Sequence, residues 1–237
     1  MNPASSLPAL LALLVCGAAT ANPADCGVYV RTNPGGDYTN PEDRQGLGVV
    51  EQYHFTKNVE NLVRGASGSV GDDLHYTLSH FPNHHRALLA MARLALRQKT
   101  SRPSGAAYTV DCYFERALRF APADTTLRSI YGSYLLAGGQ SEAALAQLRE
   151  AVRRDPNNAT VNYNLGLMYA KKKDYTQALA YAQKAYALGF GLPGLKNKLI
   201  AAGRWQEPPA PESPAPVPTA VPPVPETPPV QEAAPAG

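Results

Sequence analysis

Lysine and arginine are absent from residues 1–21 and from residues 206–237, although the chain of 237 residues holds 22 of them. Cysteine is scarce: Cys16, Cys26 and Cys112 are the whole set. So few thiols, none paired with histidine at ligand spacing, leave no zinc-finger framework. No Ser-His-Asp signature and no Cys-His arrangement stands out. The Gly-rich "GASGSVGDD" at 65–73 has no lysine to reach a phosphate, and Asp72 and Asp73 would repel one. No basic stretch is interleaved with aromatics as a nucleic-acid platform would be. These absences exclude the common catalytic and cofactor-binding motifs. No cofactor is expected.

The missing positive charge at each end has a meaning. "LPALLALLVCGAATA" is an apolar run closing on Ala19-Thr20-Ala21, the A-x-A pattern of a secretory signal peptide cut after Ala21. The run is too short and interrupted for a membrane span. An uncleaved N-terminal anchor is the alternative, and no basic residue precedes the run. The reading is therefore an exported chain, periplasmic or in the cell envelope. Export removes Cys16 and leaves Cys26 and Cys112, and an oxidising compartment permits a disulfide between them. Two free buried thiols are the other outcome.

Residues 206–237 hold 12 of the 22 prolines, four glutamates and few bulky apolar side chains. Such a tail is expected to be disordered with polyproline II character. Residues 22–205 then carry 22 basic and 15 acidic side chains, a net of +7. That balance suggests an acidic partner, although solubility alone would also explain it.

The middle of the chain repeats itself. Leu165-Gly166 lies 34 residues after Tyr131-Gly132, Ala178 after Ala144, Ala185 after Ala151, and Pro156 after Pro122. The units are 125–158 and 159–192. Small residues let helices approach closely, and the prolines end the second helix of a unit. "SEAALAQLREAV" places Ala144, Leu145, Leu148, Ala151 and Val152 on one stripe, with Ser141 as its expected N-cap.

Leu165, Gly166, Tyr169, Ala178 and Ala185, with Tyr131, Gly132, Ala144, Ala151 and Pro156, resemble the tetratricopeptide repeat, a helix-turn-helix unit of about 34 residues. Asn162 stands where that motif has tryptophan. A further copy, 85–124, is lengthened by the surface loop "KTSRPSGAA", and "DDLHYTLSHFP" reads as the closing helix of a degenerate copy, 65–84. Helix 193–205 is the expected cap. The fold class is thus all-α: a helical-repeat solenoid with an irregular N-terminal cap over 22–64, in which 47–55 could be a short strand and 56–65 a short helix.

The resemblance implies a protein-binding groove lined by the first helix of each unit. Its ligand-facing positions fall on Arg86, Arg93 and Arg97 in one copy and include Leu136 in the next. In the last copy they include Tyr163, Asn164, Leu167, Ala170 and Lys171. Arg86, Arg93, Arg97, Tyr163, Asn164 and Lys171 are the candidate partner-binding residues, with Arg able to fork a carboxylate or merely to solvate a helix face. The carboxylate clamp of chaperone-binding family members is not in place. Small exported bacterial proteins of this kind serve as assembly scaffolds. The expected function is therefore an exported, non-enzymatic scaffold that holds a protein or peptide, possibly acidic, and no nucleic acid. A cell-envelope tether using the Pro-rich tail is the alternative. A metal protein built on His75, His80, His84 and His85 is a weaker one, since their spacing suits capping better than ligation.

Overall fold

The structure, a computed structural model, describes residues 26–207. The expectations for residues 1–21 and for the Pro-rich tail lie outside the described residues. Among them the chain forms ten α-helices. These are α1 (Leu47–His54), α2 (Lys57–Glu60), α3 (Val70–His80), α4 (His85–Gln98), α5 (Val110–Phe120), α6 (Thr125–Ala137), α7 (Ser141–Arg154), α8 (Ala159–Lys171), α9 (Tyr175–Ala187) and α10 (Gly194–Ala201). Helices α6 and α8 begin 34 residues apart, as do α7 and α9.

Polar side chains start most of these helices. Asp124 and Asn158 accept from the backbone N–H groups of Leu127 and Val161, and Thr109 and Asp174 do the same for α5 and α9. Each satisfies one of the donors a helix start leaves orphaned. Ser69 and Asp72 form a reciprocal capping box on α3, which explains the residue types of the Gly-rich stretch. Ser141 is not the cap of α7: Gln140 holds that position without a side-chain bond, and Ser141 is the first helical residue.

The helices pack in two layers. Helices α4, α6, α8 and α10 lie side by side, each touching the next, and α2 adjoins α4. Helices α3, α5, α7 and α9 form the other layer, and no successive pair of them is packed comparably. The layer whose members touch is the shorter one, so α4, α6, α8 and α10 line the inside of the curve. Between the layers runs one apolar core that includes Leu88, Met91, Phe114, Leu127, Leu148, Leu165, Met168 and Leu195.

Gly132 and Gly166 sit where layers meet. A Cβ on Gly132 would come 2.8 Å from Leu148 of α7, and one on Gly166 would come 2.3 Å from Leu195 of α10. Leu195 and Leu199 are fully buried, so α10 closes the core as a cap. Trp205 packs edge-on against Tyr186.

The N-terminal region differs from its expectation in one respect. Residues 47–54 are helical, not a strand, and α2 follows them, so the stretch read as irregular supplies the first helices of the degenerate copy. The physical reason is burial at helical spacing. Leu47 and Val50 pack with Phe81, while Phe55, Val59 and Leu62 join the main core. No neighbouring strand exists among the described residues to pair with an extended 47–55.

Residues 26–46 run as a strap over α3, α5 and the turn before α4. The Cys26 and Cys112 sulfurs are 2.03 Å apart with Cα atoms separated by 5.0 Å, within disulfide range. Arg116 donates to the carbonyls of Cys26 and Val28, Tyr29 donates its hydroxyl to the His80 carbonyl, and the Tyr38 N–H donates to Asn83. The inserted loop after α4 is likewise held against α3. A Cβ on Gly71 would meet the Ser104 carbonyl at 2.0 Å, so only glycine fits beneath it.

Candidate functional site

The inner layer is the candidate interface, and its two ends are unlike. At the N-terminal end two of the three residues singled out by pattern, Arg86 and Arg97, are engaged by the chain itself. Arg86 Nε and Nη2 donate to the two oxygens of Glu60 at 2.8 and 2.6 Å, and Nη1 reaches Glu51 at 3.2 Å. Its guanidinium also lies over the Phe55 ring. The Arg86 hydrogen bonds hold the Glu60 carboxyl down at about 2, well below the ordinary carboxylate value. Arg97 donates to the Leu62 carbonyl at 2.8 Å. Arg93 is exposed and makes no ion pair among the described residues. The three arginines therefore do not form an open carboxylate-binding row. Helices α1 and α2 supply carboxylates to Arg86, so its guanidinium is already paired within the chain.

Tyr163 also departs from its expected role. It is 8 % exposed, stacks on Phe190 with ring centroids 4.1 Å apart, and burial pushes its phenol upward. Its ring belongs to the seam between α8 and the turn into α10, a packing role that repeat position alone does not reveal. Asn164 is half-buried and donates to Ser129 Oγ at 2.9 Å, tying α8 to α6. Of the six candidates, Arg86 borders a shallow cleft beside Glu51, Phe55 and Lys57, and Lys171 borders a second one, where its Nζ donates to the Leu136 carbonyl at the C-terminal end of α6.

That cleft lies at the C-terminal end of the inner layer. It is about 450 Å³ and is lined by Leu136, Leu167, Ala170, Lys171, Tyr175, Lys198 and Ala202. Leu136 comes from α6, Leu167 and Ala170 from α8, Tyr175 from α9, and Lys198 from α10. The first four inner-layer residues follow from the repeat register. Lys198 and Ala202 do not, because the cap has no counterpart in the repeat. The signal that could have found them is that α10 occupies the place of the next unit's first helix.

The histidines are all committed within the fold. His84 accepts the Ala87 N–H at Nδ1 and so caps α4, while Nε2 faces Glu51 at 3.1 Å. Burial lowers its proton affinity. His85 pairs with Asp124, His75 with the Tyr113 hydroxyl, and His80 with Thr32 and Pro34. His54 meets both Asp73 and Ser67, but both reach the same nitrogen, Nδ1. A nucleophilic relay needs serine and carboxylate on opposite ring nitrogens. Asp73 instead accepts from the backbone of Ala66 and Ser67, fixing the loop before α3. Among the described residues no group of three or more His, Cys, Asp or Glu could hold a metal.

Residues 132–191, from within α6 to just past α9, match the tetratricopeptide repeat family. No curated protein matches the chain.

Proposed function

We propose that the protein is an exported interaction scaffold that holds a segment of another protein against its inner helical layer. Tetratricopeptide repeats generally mediate protein–protein interaction and are generally non-catalytic. The observation that carries the reading is the contrast between the two ends of that layer: the cleft beside Arg86 is edged by that residue's own ion pairs with Glu51 and Glu60, whereas α6, α8 and α10 leave a cleft with an apolar floor and lysines at its rim.

Export is supported by the apolar run ending at Ala21 and by the approach of Cys26 to Cys112, which we propose form a disulfide stapling the strap to α5. The test is affinity capture from cell envelopes with the mature chain and with Leu167→Asp. Leu167 is half-buried at the edge of the core, so the substitution puts a charge into the cleft without displacing a fully buried side chain. Partners retained by the native chain and lost by the variant support the reading. A partner set indifferent to Leu167→Asp, and to a second block at Ala170→Arg, overturns it. Mass measurement of the secreted product checks cleavage after Ala21.

A further inference from the structure

We infer that the cleft between α6, α8 and α10 receives an extended internal segment of a partner that carries leucine-like side chains beside acidic ones. The inference rests on the inner-layer reading above and names the chemistry of its ligand. The floor is apolar: Leu136, Leu167 and Ala170, flanked by the half-buried Tyr175 ring. Contiguous apolar surface of this kind gains from covering by another apolar side chain. Both charged residues at the rim are lysines, Lys171 and Lys198, and no carboxylate lines the cleft. The nearby acids are committed elsewhere: Glu142 pairs with Lys172, and Asp174 caps α9.

Lys171 is also placed for the task. One of its protons goes to the Leu136 carbonyl, which holds the amine over the floor and leaves two donors for a ligand. The walls come from three adjacent helices, and packed helices lie about 8–10 Å apart, so the trough crosses roughly 20 Å. An extended chain covers that distance with about six residues. Two lysines on separate helices, Lys171 on α8 and Lys198 on α10, suit two side-chain carboxylates of an internal segment better than the single carboxylate of a chain terminus.

The experiment uses the mature chain and a fluorescent, N-acetylated, C-amidated peptide alternating Glu and Leu, read by anisotropy. Binding is expected, weakening as salt rises. The Gln-for-Glu and Ser-for-Leu peptides should each bind about tenfold more weakly or worse, and so should Lys171→Glu/Lys198→Glu with the acidic peptide. A Lys-Leu peptide should regain affinity for that double variant, a rescue that misfolding cannot produce. Equal affinity for Glu and Gln peptides overturns the inference, as does an unchanged double variant or no binding at about 1 mM. A Gln-Leu peptide with a free C-terminus that binds as tightly as the acidic one overturns the internal-segment assignment. The broader reading fails separately. Captured partners lost by Leu167→Asp but indifferent to the lysine reversals sink the acidic ligand alone, and partners indifferent to every cleft variant sink both.

Discussion

Arg86 grips Glu60 with a bidentate fork, Nε to one carboxylate oxygen at 2.8 Å and Nη2 to the other at 2.6 Å. The pair joins α4 to α2 and turns a groove position into a structural joint. Both side chains keep some exposure, so solvent screening trims the gain. Arg86→Ala should cost about 1–2 kcal/mol by urea unfolding at neutral pH. Because Arg86 lowers the Glu60 pKa from 4.5 to about 2, the pair's contribution is present above pH 4.5 and is lost as pH falls towards 2. The difference between native chain and variant should shrink across that window. A constant difference would show that the pair is not the source.

His84 gives the second prediction. Its Nδ1 must stay unprotonated to cap α4, and burial lowers its pKa below 6.5. The unfolded chain takes up the proton first, so this residue's contribution is complete above pH 6.5 and declines as pH falls below it. NMR titration should find the His84 ring neutral, with its proton on Nε2, at a pH where an exposed histidine is already charged. His84→Ala should cost about 1 kcal/mol at neutral pH, and less in acid.

Gly166 touches the cap. Gly166→Val places carbon where Leu195 Cδ2 lies 2.3 Å from a Cβ, and Leu195 has no free space to retreat into. The expected loss is about 1–3 kcal/mol. Faster proteolysis within α10 than elsewhere in the chain should accompany it. An unchanged melting temperature would mean that α10 does not close the core.

The proposed Cys26–Cys112 bridge encloses a sequence separation of 86. The chain-entropy view gives about 4–5 kcal/mol for such a loop, an upper guide. Denatured, unreduced mature protein should show no titratable thiol. Cys26→Ser should lower the unfolding midpoint and expose the strap to protease near Tyr29, whose hydroxyl otherwise holds the His80 carbonyl. Two free thiols in the exported product would remove the bridge.

Much of the architecture could be read from residue type and interval. The 34-residue recurrence of Gly132 and Gly166, and of Ala144 and Ala178, is a local property of each unit, since these positions must be small for two helices to meet. The site was less legible. Tyr163 and Arg86 occupy repeat positions that face a ligand in the pattern, yet Phe190 covers one and Glu60 and Glu51 neutralise the other. Phe190 closes the same unit at a position outside its two helices, and Glu51 and Glu60 come from the N-terminal region before the repeats.

The amino-acid sequence by itself determined the helical repeat and its period, because these depend on contacts within one unit and its neighbour. Tertiary structure alone decided which residues line each end of the inner layer. That outcome turns on where α1, α2 and α10 dock. They dock where Val59, Leu62, Leu195 and Leu199 find buried apolar surface, leaving Lys171 and Lys198 at the rim of the remaining cleft.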